Sequence, residues 1–271
     1  MVHYTKVQSN GNNFLVCDNR EGIYDQETLT RLTIRDCNVK TGIGADGILV
    51  IEQSDRADFK MRIINSNGFE SEMCGNGARC IARYAHEYGL ANTSMTFETL
   101  AGIISAEVDG VKVKIGMGDY DASHISEVHS LTVNQMAVSY HFMVVGVPHV
   151  VIFYEEGSMT REDMLRIGRS FDENHTVFPR GTNVNFVTKL DEGTIKSTTY
   201  ERGVEDITDS CGTGSCASAV LADLRFGIKS PVKVINPGGT NTVYFQKNAA
   251  SSVQIALEGD VYYSGEITCA L

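Results

Sequence analysis

Two cysteines in this chain each stand directly ahead of a Gly-x-Gly. Cys74 leads Gly75-Asn76-Gly77 in SEMCGNGARC, and Cys211 leads Gly212-Thr213-Gly214 in TDSCGTGSCA. Both stretches read as helix starts. The first N–H groups of a helix lack intrahelical partners and carry partial positive charge. Glycine removes side-chain bulk, so a carboxylate can approach those groups. A cysteine just ahead of them feels the same field, which favours the thiolate. One such site is a nucleophile, a redox thiol, or simply a packed small residue. Two equivalent sites point to paired thiols serving one carbon. A thiolate removes the α-hydrogen of an amino acid from one face while a thiol delivers a proton to the other. Both steps are acid–base catalysis, which works best with a pKa near the working pH. A cysteine pKa of about 8.5, lowered at a helix start, suits that task. Helix N–H groups would also stabilise charge developing on the carboxylate.

An internal repeat makes the two sites equivalent. Cys211 and Cys74 are separated by 137 positions (211 − 74). The same offset takes Gly44 to Gly181, Asp46 to Asn183, Val50 to Val187, Asn12 to His149 and Gly102 to Gly239. KIGMGD (114–119) finds a counterpart in IALEGD (255–260), where the offset has drifted to 141 (255 − 114). Each half then predicts the same succession. A strand comes first (FLVCDN; HVVIFY), then a helix (QETLTRLTIRDC; TREDMLRIGRSF), with Thr160 as N-cap and Asp163 three residues on. Two strands follow (GILVIEQ and FKMRIIN; VNFVTKL and TIKSTTY), then the helix led by the cysteine, ended by Gly89 or Gly227. Small residues crowd both of those helices, as expected where sheet surrounds a helix. The expected fold is α/β, with two pseudo-symmetric halves, each a mixed or antiparallel sheet wrapped around a central helix. The halves are placed at 1–117 and 118–261.

Composition narrows the partners. The chain has 271 residues, a formal net charge of −11 and a pI near 5.1. An acidic surface disfavours nucleic acid and anionic membranes. FMVVGVPHVVIFY, the most apolar stretch, is interrupted by Gly146, Pro148 and His149 and reads as two buried strands and a turn, too short to cross a bilayer. No secretory signal is visible at the start of the sequence. Seven cysteines, an odd number, form no small disulfide framework, so free thiols in a reducing cytoplasm are expected. Cys74/Cys80 and Cys211/Cys216 are spaced too widely for a zinc knuckle, and no metal or cofactor is expected. Cys17, Cys37, Cys80, Cys216 and Cys269 are read as packing residues.

These residues closely resemble the diaminopimelate epimerase family, and the likeness runs almost end to end. It is carried by GNNF, GIGADGIL, NSNGFESEMCGNGARC, FETLAGI, GVPH, FPRGTNVNFV, YERGV, CGTGSCA and PGG. The resemblance implies a pyridoxal-phosphate-independent amino-acid epimerase of lysine and peptidoglycan synthesis. It implies a homodimer, an active site in the cleft between the halves, and a last segment, 262–271, returning to the first half. Cys74 and Cys211 are then the acid/base thiols. The backbone at Gly75, Asn76, Gly212 and Thr213 holds the carboxylate at the reacting centre. Asn12, Asn65, Asn183, Glu201 and Arg202 contact the rest of the substrate. Arg202 suits a second carboxylate as a bidentate clamp, and Glu201 suits an ammonium.

The chain departs from the family pattern at the distal pocket. Val147 stands where an asparagine is usual. Phe69 replaces a small residue, Asn67 and Asn13 replace aspartates, and one extra residue precedes Cys211. A racemase of another amino acid, histidine among them, is therefore the alternative on the same fold. A non-catalytic amino-acid binder or redox sensor is the alternative of another class.

Overall fold

The computed structural model describes residues 1–248 and 251–271. The chain divides into two compact units, Met1–Gly116 with Glu258–Leu271, and Met117–Leu257.

The first unit begins with β1 (Val2–Ser9), β2 (Asn12–Asp18), α1 (Gln26–Asp36), β3 (Gly47–Glu52), β4 (Phe59–Asn65) and β5 (Glu70–Ser71). It continues through α2 (Gly75–Glu87), β6 (Ser94–Thr99), β7 (Gly102–Asp109) and β8 (Lys112–Asp121). β1 and β2 are antiparallel, β2 and β3 parallel, and β3 and β4 antiparallel. β5 folds back on β4, β6 lies parallel to β4, and β7 and β8 follow as a meander.

The second unit repeats this plan. It contains β9 (His129–Val133), β10 (Met136–Val145), β11 (Val147–Phe153), α3 (Arg161–Asp172), β12 (Asn183–Lys189), β13 (Thr194–Glu201) and β14 (Asp206–Thr208). Then come α4 (Gly212–Phe226), β15 (Val232–Asn236), β16 (Gly239–Lys247) and β17 (Ser252–Asp260). β10 and β11 are antiparallel, β11 and β12 parallel, β12 and β13 antiparallel, β14 folds back on β13, and β15 runs parallel to β13. β18 (Tyr262–Cys269) pairs antiparallel with β1 in the first unit.

Local chemistry accounts for these elements. In α1 the buried positions Leu29, Leu32, Thr33 and Asp36 fall at helical spacing, and Asp25 caps the N-terminus by accepting from Thr28 N–H. α3 begins with the capping box expected of Thr160 and Asp163. Its buried Met164, Ile167 and Phe171 join a core of Val150, Ile152, Val184, Phe186 and Tyr200. Each of those large apolar side chains contributes roughly 1.5–3 kcal/mol on burial. The apolar stretch around Gly146 forms a β10–β11 hairpin, with Gly146 at φ 69° in the turn.

The helices led by cysteine differ in kind from α1 and α3. α2 buries Asn76 through Ala82 without interruption and touches β1, β2, β3, β4 and β7. α4 buries Gly214 through Ala222 and touches β10 to β13, β15 and β16. Several strands thus contact each helix, and small residues fill most of the buried positions: Gly77, Ala78, Cys80, Ala82 and Ala85 in α2, and Gly214 to Ala219 with Ala222 in α4. Gly227 closes α4 in the left-handed conformation, φ 73°. α2 ends one residue sooner than its glycine suggests, with Tyr88 at the C-cap and Gly89 just beyond. No helix among the described residues is long and apolar enough to cross a membrane.

Candidate active site

Cys74 and Cys211 are themselves the N-caps of α2 and α4. Both sit in extended backbone (φ −141°, ψ 121°; φ −110°, ψ 110°). Each thiol sulfur accepts from the third N–H of its helix, Gly77 N to Cys74 Sγ at 3.5 Å and Gly214 N to Cys211 Sγ at 3.4 Å. Cysteine therefore takes the capping role that serine or aspartate usually fills. The remaining N–H groups of the first turn, at Gly75-Asn76 and Gly212-Thr213, lie where an anion would meet them. All seven cysteines are thiols. Cys17, Cys37, Cys80 and Cys216 are buried, whereas Cys269 is only half-buried.

Around Cys74, the first unit arranges asparagines. Asn12, at the start of β2, accepts from Asn76 Nδ2 at 2.5 Å and donates to Asp46 Oδ2 at 3.1 Å. Asp46 also accepts from the backbone N–H of Asn13 at 2.9 Å, so it clamps the entry to β2. Asn65, at the end of β4, donates to Ser71 Oγ at 2.6 Å. Its backbone N–H donates to Phe69 O at 2.9 Å across the turn. Phe69 itself is 73 % exposed. Arg79 is fully buried and donates to Asn76 Oδ1 at 2.5 Å and to Ser9 Oγ at 3.0 Å. Arg79 and Asp46 are positioning groups that motif spacing does not reveal. The one signal for Arg79 is a charge three residues after Asn76 in a run of small residues, which places both on one helix face.

Around Cys211, the second unit is more crowded. Cys211 is 6 % exposed. Asn183 Nδ2 lies 4.0 Å from its sulfur and Thr213 Oγ1 3.6 Å away. The Asn183 side-chain oxygen accepts from Arg202 N at 3.0 Å, and Arg202 Nη1 donates to Arg180 O at 2.7 Å. Glu201 accepts from Thr208 Oγ1 at 2.6 Å. Thr208 belongs to β14, which pairs Thr199 with Thr208 and Glu201 with Asp206. The acidic stretch with the extra residue, 205–210, thus forms the return of this hairpin and leads directly into Cys211.

Electrostatics here corrects one expectation. The helix start was expected to lower the cysteine pKa, yet the Cys211 thiol is raised well above its ordinary value. Burial is the largest cause, and the adjacent Glu201 carboxylate is next; Thr213 and the Gly214 N–H act the other way but are outweighed. Glu201 is also raised, mainly by burial, against hydrogen bonds from Thr208 and Cys211. Burial and the neighbouring Glu201 charge thus favour the protonated form of Cys211, a proton donor rather than a base.

His149 and Asn185, neither anticipated as site residues, lie on the same sheet face. Asn185 Nδ2 approaches His149 Nδ1 at 3.2 Å, and Asn185 Oδ1 accepts from Thr199 Oγ1 at 2.9 Å. Among the described residues no group of three or more His, Cys, Asp or Glu side chains is placed to hold a metal ion.

Comparison with known proteins shows the family and the fold. Residues 4–122 and 141–263 match the family model described as diaminopimelate epimerase. The chain is 37 % identical to a diaminopimelate epimerase of Aquifex aeolicus, over 96 % of its own length and 95 % of that protein. It is 38 % identical to one from Archaeoglobus fulgidus, over 92 % and 91 % of the two chains. Among solved structures it resembles a phenazine biosynthesis protein of the PhzF family from Enterococcus faecalis, with TM-score 0.73, 12 % identity, and 100 % and 99 % of the chains covered. It also resembles a hydroxyproline epimerase from Agrobacterium vitis holding trans-4-hydroxy-L-proline, with TM-score 0.70, 16 % identity, and 100 % and 91 % covered. At these identities the structures establish a shared fold.

Proposed function

The chain belongs to the diaminopimelate epimerase family, and from that premise we propose that it interconverts LL- and meso-diaminopimelate by two-thiol proton transfer. The observation that carries the reading is the matched pair of cysteine N-caps, each with its sulfur on the third helix N–H.

In this mechanism Cys74 and Cys211 serve one α-carbon. The α-carboxylate lies against the first-turn N–H groups at Gly75-Asn76 and Gly212-Thr213. One sulfur, as thiolate, takes the α-proton. The carbanion's charge spreads into the carboxylate, where the helix N–H groups stabilise it by several kcal/mol. The other sulfur, as thiol, protonates the opposite face. Charge and protons balance: one thiolate becomes a thiol while one thiol becomes a thiolate, and the reverse reaction exchanges the roles. The raised pKa of Cys211 supports assigning it the donor role in the resting site. Asn12, Asn65, Asn183 and Glu201 hold the amino groups and backbone of the substrate. Arg202 holds the distal carboxylate, to which its guanidinium offers a planar pair of donors. The resemblance further supports a cytoplasmic homodimer that works without pyridoxal phosphate.

The test is incubation with LL-diaminopimelate in deuterated water. The expected result is meso-diaminopimelate carrying deuterium at the inverted carbon, by chiral chromatography and mass spectrometry. Turnover of L-histidine with none of LL-diaminopimelate would move the assignment to a different amino-acid racemase. Deuterium entering no candidate amino acid would point to a binding protein.

A further inference from the structure

α3 ends on Asp172, an acidic residue where the helix dipole favours cations. The turn that follows supplies the carboxylate with a partner: Thr182 N donates to Asp172 Oδ1 at 3.1 Å. A side chain at Gly181, where φ is 71°, would run into the same oxygen. Gly181 N donates to Phe178 O at 2.9 Å, which closes the turn. α1 also ends on an aspartate, but the Asp36 carboxylate is taken up by Tyr4 Oη at 2.8 Å and by Arg35. The loop after α1 returns to the Asp36 backbone oxygen instead, through Ile43 N and Gly44 N. In the second unit the loop closes on the carboxylate itself.

The turn so fixed takes hold of Arg202 at two points. Arg180 O accepts from Arg202 Nη1 at 2.7 Å. Asn183 Oδ1 accepts from Arg202 N at 3.0 Å, and Asn183 Nδ2 lies 4.0 Å from Cys211 Sγ. Both ends of the arginine are thus tied to residues 180–183, and Thr182 ties that stretch to Asp172. A guanidinium carries five N–H groups in one plane. With Nη1 turned to a backbone carbonyl, the edge made by Nε–H and Nη2–H remains. Such a planar pair matches a carboxylate. Among the described residues no carboxylate takes up that edge of the half-buried Arg202.

We infer that Asp172 is a positioning residue for capture of the substrate's distal carboxylate: through the turn at 178–182 it holds the Arg202 guanidinium with its Nε–Nη2 edge open. This rests on the reading of Arg202 as the distal clamp. An arginine on a loose loop gives up rotamer freedom when it binds, and one already held at both ends has less to give up. The benefit falls on binding of the dicarboxylate amino acid and not on proton transfer at the α-carbon. Its loss therefore raises KM and leaves kcat near its original value.

The experiment joins arginine side-chain ¹⁵N NMR of the full chain to a double-mutant cycle. Arg202 is assigned by comparison with Arg202→Lys. In wild type without substrate its guanidinium is expected to rotate slowly and to show distinct Nη resonances. In Asp172→Ala it is expected to rotate freely and to show one averaged signal. Asp172→Asn keeps an acceptor for Thr182 N and is expected to restore the wild-type spectrum. Asp172→Ala should raise KM for LL-diaminopimelate about 3- to 10-fold, the scale of immobilising one long side chain. It should change kcat by less than about 2-fold. Arg202→Ala should raise KM further, and adding Asp172→Ala to it should cost nothing more. Asp172→Ser, a smaller change, gives the same contrast should Asp172→Ala not fold. A guanidinium restrained alike in wild type and Asp172→Ala would overturn the inference, as would one rotating freely in both. Additive losses in the cycle would do the same, since they mark a general structural role. The spectra are read without substrate. A wild type that leaves LL-diaminopimelate unchanged would thus defeat the proposed function, while the NMR contrast still decides the role of Asp172.

Discussion

Gly77 in α2 and Gly214 in α4 occupy equivalent places, 137 positions apart (214 − 77), yet they rest on different floors. A side chain at Gly77 would meet Leu49 Cδ2 at 3.1 Å, Met61 Cε at 3.5 Å and Phe14 Cζ at 3.6 Å. One at Gly214 would meet Asn185 Oδ1 at 2.3 Å and Thr199 Oγ1 at 3.1 Å. The two helices also differ in what they bury at equivalent positions. Arg79, fully buried in α2, maps by the same offset (216 − 79) to the buried thiol Cys216 in α4. The first unit therefore rests its helix start on apolar side chains, while a buried arginine of the helix holds Asn76. The second sets polar sheet side chains, Asn185 and Thr199, under its helix start, and the buried Ser215 and Ser218 of the helix add hydrogen bonds of their own. Two copies of one topology can hold equivalent thiols over different floors, because an N-cap needs only a helix start and not a particular floor.

Several measurements would break or sharpen this comparison. Cys74→Ala and Cys211→Ala should each reduce inversion by about 10²- to 10⁴-fold, the range for loss of one acid–base group. A variant that kept most of its activity by chiral assay would show that the two caps are not equivalent in function. Arg79→Met should lower unfolding free energy by about 3 kcal/mol, since it strips charged hydrogen bonds from Asn76 and Ser9. Cys216→Ala should cost less in the same urea titration. A larger loss from Cys216→Ala would mean that the first unit does not depend on its helix for polar anchoring.

Gly214→Ala should cost about 1–3 kcal/mol, because the new methyl must displace a hydrogen-bonded amide. Gly77→Ala meets only the tips of flexible apolar side chains and gains about 1 kcal/mol of helix propensity, so it should be close to neutral. Equal thermal shifts in the two variants would remove the contrast between the floors.

The polar floor also predicts a pH dependence. The ordinary pKa of His149 is 6.5 and its folded value is about 3. Between those values the unfolded chain binds the proton and the folded chain does not. The stability that neutral His149 allows is present above the upper value and is lost as pH falls through the window, by at most about 1.4 kcal/mol per pH unit. His149→Gln should flatten that slope. Parallel unfolding curves for both proteins at every pH would contradict it. The smallest effect belongs to the outer helices, where Asp25→Ala and Thr160→Ala should each cost about 1 kcal/mol by losing an N-cap. A negligible change from Thr160→Ala in chemical unfolding would argue against its capping box.

Much of this molecule is determined by the sequence alone. The offset between Cys74 and Cys211, the glycines after them and the strand–helix succession require only local rules: periodicity, caps and turns act over a few residues. Thr160 with Asp163, Gly227 and the Gly146 turn are of this kind. The supports of the site were decided by tertiary structure. Arg79 reaches Ser9, 70 positions away (79 − 9), and Asn185 reaches His149, 36 away (185 − 149). Such partners are set by strand register and not by spacing along the chain. The protonation of Cys211 was decided in the same way. Its helix start, read locally, favours a thiolate, but burial and the Glu201 carboxylate, delivered by the β13–β14 hairpin, reverse that preference. Local pattern names the groups that can react, and the packed interior sets their charge, because solvation and neighbouring charges depend on what the fold brings close.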